Sequence, residues 1–334
     1  MKLLFIKISA VFIVIISCVI FWFWTEYNAF LVSPVNNQAA VKFTIKSGST
    51  LNRIANQLYT DKIISFPKYF KLYTKLQGKA AQIQAGEYII KPDYTIEALL
   101  KIFVKGEVTQ YQLTIPEGWT LKQIFNYLQK TDLIPTITML KQKQIIKLLD
   151  MGIDNVEGYI FPDTYYFPKG TKDIDFLKRS INKMQTTLTA EWHKRDKNLP
   201  LKSPYEALIL ASIVEKESGQ KSERSKIAGV FIRRLRKGMR LQSDPTIIYG
   251  MGDAYKGNIR KKDINQKTAY NTYQINGLPP TPIASPGQNA IHAVLHPDSG
   301  RSLYFVADGS GGHYFSKNLK EHNQAVRKYI LKKL

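Results

Sequence analysis

The sequence predicts an α+β protein behind one N-terminal transmembrane helix. Three observations carry this: an uncharged apolar run at the start, a strand–turn–helix pattern that recurs over residues 41–130, and a remainder in which helical patterns alternate with short aromatic strands and a Gly-rich hairpin. The chain has 334 residues, 44% hydrophobic and 12% aromatic, enough for one or two domains with real cores.

After MKLLFIK, the run ISAVFIVIISCVIFWFWT extends from Ile8 to Thr25 without a charge. At about 1.5 Å per residue this nearly crosses a bilayer core. Lys2 and Lys7 precede it and Glu26 follows, so the charge bias of cytoplasmic flanks places the N-terminus inside and the rest of the chain outside. A cleaved signal peptide shares the charged start, but this run is longer than a usual signal core and no A-x-A-like site follows. Phe21, Trp22, Phe23 and Trp24 suit an interface anchor. Cys18 is the only cysteine, which excludes an internal disulfide and a cysteine-ligated metal centre.

Lys and Arg number 48 against 26 Asp and Glu, a formal charge of +22. That excess favours phospholipid head groups, nucleic acid or an acidic wall polymer, although a lysine-rich surface with no ligand gives the same count. With the basic mass outside the cytoplasm, nucleic acid is not the expected partner.

Residues 27–40 read as a polar tether. VKFTIKSGSTLNRIANQL (41–58) then matches YQLTIPEGWTLKQIFNYL (111–128) as strand, Gly turn, Thr and amphipathic helix, with Thr50 and Thr120 in capping position. AGEYIIKPDYTIEALLKIFVKG (85–106) has a related order. The first unit, with its strand, SGSTL, a second helical stretch from Phe66 to Leu76 and the closing strand GEYII, resembles a LysM module, a β-α-α-β unit that grips N-acetylglucosamine chains. Residues 131–150 read as a helix with a basic face. The aromatics Tyr159, Phe161, Tyr165, Tyr166, Phe167 and Phe176 fit either a sugar groove or satellite core. Residues 171–196 are helical and charged.

Ser203, Pro204 and Glu206 form a full helix-start signal, and Gly219 is a candidate stop. Between them ALILASIV is apolar all round apart from Ser212, so the helix should run through a core. Glu215 and Glu217 at its end are both candidates for partial burial, where a carboxyl pKa rises. Either is equally an exposed last-turn residue pairing with Lys216, Lys221 or Arg224. A helix over the Ile227–Leu235 apolar positions, an extended segment to Asp244, and a rigid polar loop follow. Ser285, Pro286 and Gln288 repeat the start signal for a short helix through Leu295, and 301–317 alternates as a hairpin.

His292 and His296 stand four apart, but without the zinc-protease glutamate, and a third ligand would have to come from His313, His322 or Asp298. No metal is expected. Gly309, Gly311 and Gly312 lack the phosphate-loop lysine and its strand-to-helix setting. No G-x-S-x-G element is present either.

Six strings, in order, resemble the MltG-type (YceG-like) endolytic murein transglycosylases: EGYIFPDTYYF, LILASIVEKESG, ERSKIAGVFIRRLRKGMRLQSDPTIIYG, TAYNTYQINGLPPTPIASPGQNAI, LYFVADGSGGHYFS and HNQAV. The resemblance implies an inner-membrane enzyme with its C-terminal domain in the periplasm, cutting the β-1,4 bond between N-acetylmuramic acid and N-acetylglucosamine and leaving 1,6-anhydro ends. It maps the single acid, then base, to Glu215. It sets Glu217, Gln242, Ser243, Asp244, Tyr270, Asn271, Thr272 and Asn323 around the glycan. It implies no cofactor, and peptidoglycan strands and penicillin-binding synthases as partners. The domains expected are then 1–26 (cytoplasmic tip and anchor), 27–40 (tether), 41–130 (LysM-like repeated α/β region) and 131–334 (mixed α+β catalytic domain). A non-enzymatic wall-binding scaffold and a muramidase-type hydrolase are the alternatives.

Overall fold

In the computed structural model of the chain, which describes residues 2–131, 142–150 and 152–331, the apolar start is one helix, α1 (Lys2–Val32). Among the described residues it is the one helix long and apolar enough to cross a membrane, with a window of mean hydropathy 2.5 and no part of that window buried. Residues 27–32, the first part of the expected tether, continue the helix. Phe30 packs edge-on against Tyr69 and Phe66, at 5.6 and 6.0 Å between ring centroids, and this burial holds the last turn in place. The backbone beyond it is pinned as well, Val35 N–H to the Tyr94 carbonyl at 2.8 Å and Asn36 N–H to that of Ile63 at 2.9 Å.

The chain divides into two compact units, Met1–Tyr111 with Tyr166–Lys169, and Gln112–Tyr165 with Gly170–Leu334. In the first, β1 (Val41–Ile45) is followed by α2 (Leu51–Thr60), α3 (Pro67–Leu76) and β2 (Gly86–Ile90). β1 and β2 are antiparallel, Phe43 opposite Tyr88, and both rings are buried over Phe103 of α4 (Ile96–Lys105). The repeated threonines act as caps: Thr50 accepts from Arg53 N–H and Thr95 from Ala98 N–H, each closing a donor the first turn leaves open.

β3 (Gln110–Thr114) pairs with β4 (Thr164–Pro168), and α5 (Leu121–Leu128) carries the third cap, a reciprocal box between Thr120 and Gln123. α6 (Gln142–Leu149) is the end of the helix expected over 131–150; residues 132–141 lie outside the described residues. Phe161, Tyr165, Phe167 and Phe176 are buried, so the aromatic segment serves mainly as core.

The second unit is built around α8 (Pro204–Glu217), which packs against α7 (Asp173–Lys194), α9 (Arg224–Arg236), α10 (Asp244–Met251) and α12 (Gln288–Leu295). Its residues from Ala207 to Glu215 are all buried. The start follows the sequence signal, with Ser203 accepting from Glu206 N–H and Pro204 in the first turn. Ser212 is tolerated in this core because its hydroxyl donates to the Ile209 carbonyl and accepts from Ile283 N–H, at 2.7 and 2.9 Å. The stop differs: Ser218 turns extended directly after Glu217, and Gly219 is not in a left-handed cap. α12 also starts later than its Ser-Pro signal predicts, with Gly287 as cap. α11 (Lys261–Asn265) precedes the polar loop, and the hairpin of β5 (Tyr304–Ala307) and β6 (His313–Ser316) packs under α13 (Leu319–Tyr329).

Leu210 is fully buried on α8. Leu210→Ala should cost roughly 2–5 kcal/mol of stability, read as a lower denaturant midpoint for the second unit.

Candidate active site

Two residues along a helix is a turn of about 200°, so Glu215 and Glu217 leave the end of α8 in opposite directions. On one side Glu215 Oε1 accepts from the Arg224 guanidinium and Oε2 accepts the Gly287 N–H at 3.0 Å. Arg224 also donates to Glu117 Oε2 at 3.1 Å and through Nε to Ser218 Oγ at 3.2 Å. A Cβ at 287 would stand 2.0 Å from Glu117 Oε1 and would push that side chain aside. Burial pushes the Glu215 carboxyl up, while the Gly287 N–H and Arg224 pull it back. Both its oxygens are acceptors. This is a clamp that ties the end of α8 to α9 and to the start of α12.

On the other side Glu217 Oε1 accepts from Ser243 Oγ at 2.6 Å. Ser243 is fully buried at the cap of α10, yet its hydroxyl makes no capping bond, because it is turned to Glu217 instead. Thr272 fixes it, its Oγ1 accepting Ser243 N–H at 2.9 Å and sharing a hydrogen bond with Thr246. Burial pushes the Glu217 carboxyl up to about 7; the Ser243 hydroxyl, His313 and Arg234 pull down and Asp244 pushes up. One oxygen is thus held and the other is left to carry a proton near neutral pH.

Glu217 opens on a groove of about 630 Å³ that Gln242, Asp244 and Asn323 also line. Of the sequence-expected residues these four meet there, with Ser243 and Thr272 directly behind them. Gln242 holds a left-handed backbone, φ 51°, its N–H on the Thr272 carbonyl. Asp244 accepts from Tyr273 OH at 2.7 Å.

Three of the expected residues lie outside the lining of this groove. Glu215 is on the clamp side and is not among the residues that line this groove. Tyr270 packs on Tyr249 and bonds Thr281, a core role. Asn271 is buried and its amide serves the carbonyls of Asp263, Ile264 and Gln266, which fixes the loop.

Sequence reasoning missed the groove's Arg234, Tyr273, Tyr304, His313 and His322. Arg234 is almost fully buried, donates to the carbonyls of Leu303 and Leu241 at 2.7 Å each, and lies over the Tyr304 ring. His322 stacks on Tyr304, and burial pulls its pKa down. His313 is held by Glu223, Nδ1 to Oε2 at 2.8 Å. An arginine breaking an apolar helical face was the signal for Arg234; the hairpin residues gave none.

The YceG-like family model matches residues 43–328. The chain is similar to a Bacillus subtilis (strain 168) protein named "Endolytic murein transglycosylase", 34% identical over 92% of this chain and 90% of that one. A Streptococcus pneumoniae protein (serotype 2, strain D39) of the same name is 29% identical over 92% of this chain and 61% of its own length. A crystal structure of a YceG-like protein from Listeria monocytogenes aligns with TM-score 0.54 and 30% identity, covering 86% of this chain and 99% of that one.

Glu217 holds its proton more tightly in the folded chain than in the unfolded one, where the ordinary value is 4.5. Its contribution to stability is therefore complete below about 4.5 and is lost as pH rises through about 7. Denaturation across that window should show the decline in wild type and a flatter curve in Glu217→Gln.

Proposed function

Because the chain belongs to the YceG-like family, we propose that it is a membrane-anchored endolytic lytic transglycosylase of peptidoglycan, with Glu217 in the role first mapped to Glu215. The observation that carries this reading is the Glu217 carboxyl, raised to about 7 and open to a groove edged by hydrogen-bonding side chains and the Tyr304 ring. A glycosidic oxygen leaves poorly unless protonated, and an undissociated acid near neutral pH supplies that proton.

In the proposed reaction Glu217 protonates the oxygen between N-acetylmuramic acid and N-acetylglucosamine. The C1–O bond breaks with its electron pair going to that oxygen, and positive charge develops at C1 of the muramic ring. The C6 hydroxyl of the same sugar attacks C1, and Glu217, now a carboxylate, takes its proton. The product is a 1,6-anhydro end, no water is consumed, and the acid is regenerated. Ser243 holds one carboxyl oxygen through both steps. Gln242, Asp244 and Asn323 would bind the sugar hydroxyl and amide groups. A hydrolase reading would enlist Asp244 as second carboxylate, but Asp244 is already engaged by Tyr273.

Further parts of the reading concern the rest of the chain. α1 would cross the inner membrane with Lys2 and Lys7 inside and both units on the periplasmic side. The β1–α2–α3–β2 order supports a LysM-like unit that contacts glycan. Residues 41–130 and 131–334 would be its binding and catalytic regions, and penicillin-binding synthases its partners.

Glu217→Gln should lower cleavage of purified glycan strands by about 10²–10⁴-fold. Glu215→Gln, which breaks the Arg224 ion pair, should chiefly lower the unfolding midpoint. The opposite pattern would return the acid to Glu215. Wild-type products should be anhydro-muropeptides, lighter by one water than hydrolysed ends; reducing ends would mean a muramidase. Cleavage should decline above pH about 7, as Glu217 loses its proton.

A further inference from the structure

α12 carries His292 and His296 one turn apart, their ring centroids 4.4 Å from each other. Neither faces the groove of Glu217. Of the third ligands that the sequence offered, His313 is bound to Glu223, Asp298 to Arg233, and His322 stacks on Tyr304. The fold supplies a different one. Glu191 arrives from the last turns of α7, and its carboxylate and the two imidazoles place a donor atom each within 4.8 Å of one another.

We propose that Glu191, His292 and His296 form a divalent-metal site, with Zn²⁺ as the ion of best fit. Two imidazoles and a carboxylate are a donor set that Zn²⁺ accepts, with water as fourth ligand. Glu191 is 7% exposed, an unusual place for a carboxylate on a charged helix unless its oxygens are used. Groups behind the ligands are also arranged for a metal. Asp196 Oδ1 lies 3.0 Å from His296 Nδ1, which fixes the tautomer and leaves Nε2 to coordinate. Gln288 Nε2 donates to Glu191 Oε1 at 3.0 Å and orients the carboxylate, leaving Oε2, now 2.9 Å from His292 Nδ1, to meet the ion.

Zinc–ligand bonds of about 2.0–2.2 Å need donors roughly 3.4 Å apart, so the 2.9 Å contact of Glu191 Oε2 with His292 Nδ1 must open slightly while donors as far as 4.8 Å apart approach. The His292 side chain is 57% exposed and leaves a path for entry. The bound ion would staple α7 to α12, the helix whose first N–H holds Glu215. This role is independent of the glycan reaction.

The test is a Zn²⁺ titration of the full-length chain in detergent, purified without a histidine tag. Saturable binding of one Zn²⁺ per chain is expected, with a raised unfolding midpoint and, for Co²⁺, the visible absorption of a tetrahedral site. His292→Ala and His296→Ala should each weaken binding by about 100-fold or more, and Asp196→Asn by about tenfold. His193→Gln, an exposed histidine on α7 outside the cluster, should leave affinity unchanged. Absence of stoichiometric binding, or affinity that survives loss of both His292 and His296 or falls equally with His193, would overturn the proposal.

Discussion

A single hydrogen bond, from Ser243 to Glu217, sets the character of the groove. A carboxyl that the fold takes out of water keeps its proton unless enough donors stabilise its ionised form. Ser243 is one donor, and Thr272 and Thr246 fix it so that it cannot be replaced by several. The cap of α10 gives up its own capping bond for this contact. Local helix stability has been exchanged there for control of one proton.

The clamp on the opposite side of α8 makes that control durable. Arg224 holds Glu215, Glu117 and Ser218 together, and the Gly287 N–H completes the shell. A helix that ends at Glu217 would otherwise fray at its last turn, taking the carboxyl with it. The two glutamates thus have separate partners, Glu215 the Arg224 guanidinium and Glu217 the Ser243 hydroxyl. Direction around the helix decides between them.

That direction is why the sequence was a good guide to the fold and a partial one to the site. The capping threonines Thr50 and Thr120, the Ser203–Pro204–Glu206 start and the hairpin were legible because each depends on neighbours a few residues away. Ser285 and Gly219 misled because long-range contacts outweighed local preference: the Ser285 backbone pairs with Trp119, and the Gly287 N–H goes to Glu215. α10 went unseen although Ser243, Asp244 and Pro245 carry the same start signal as α8. Choosing between Glu215 and Glu217 required knowing that Arg224 and Ser243 lie on different sides of α8, which helical periodicity cannot supply. Arg234, Tyr304 and His322 come together from distant segments and were beyond any local pattern.

The docking of Phe30 against Tyr69 and Phe66 has a mechanical meaning. With α1 as the anchor, a helix that runs unbroken into the first unit's core acts as a mast rather than a leash. From Thr25 to Val32 it rises about 1.5 Å per residue, so the standoff of that unit from the lipid surface is fixed by geometry instead of by the reach of a flexible chain.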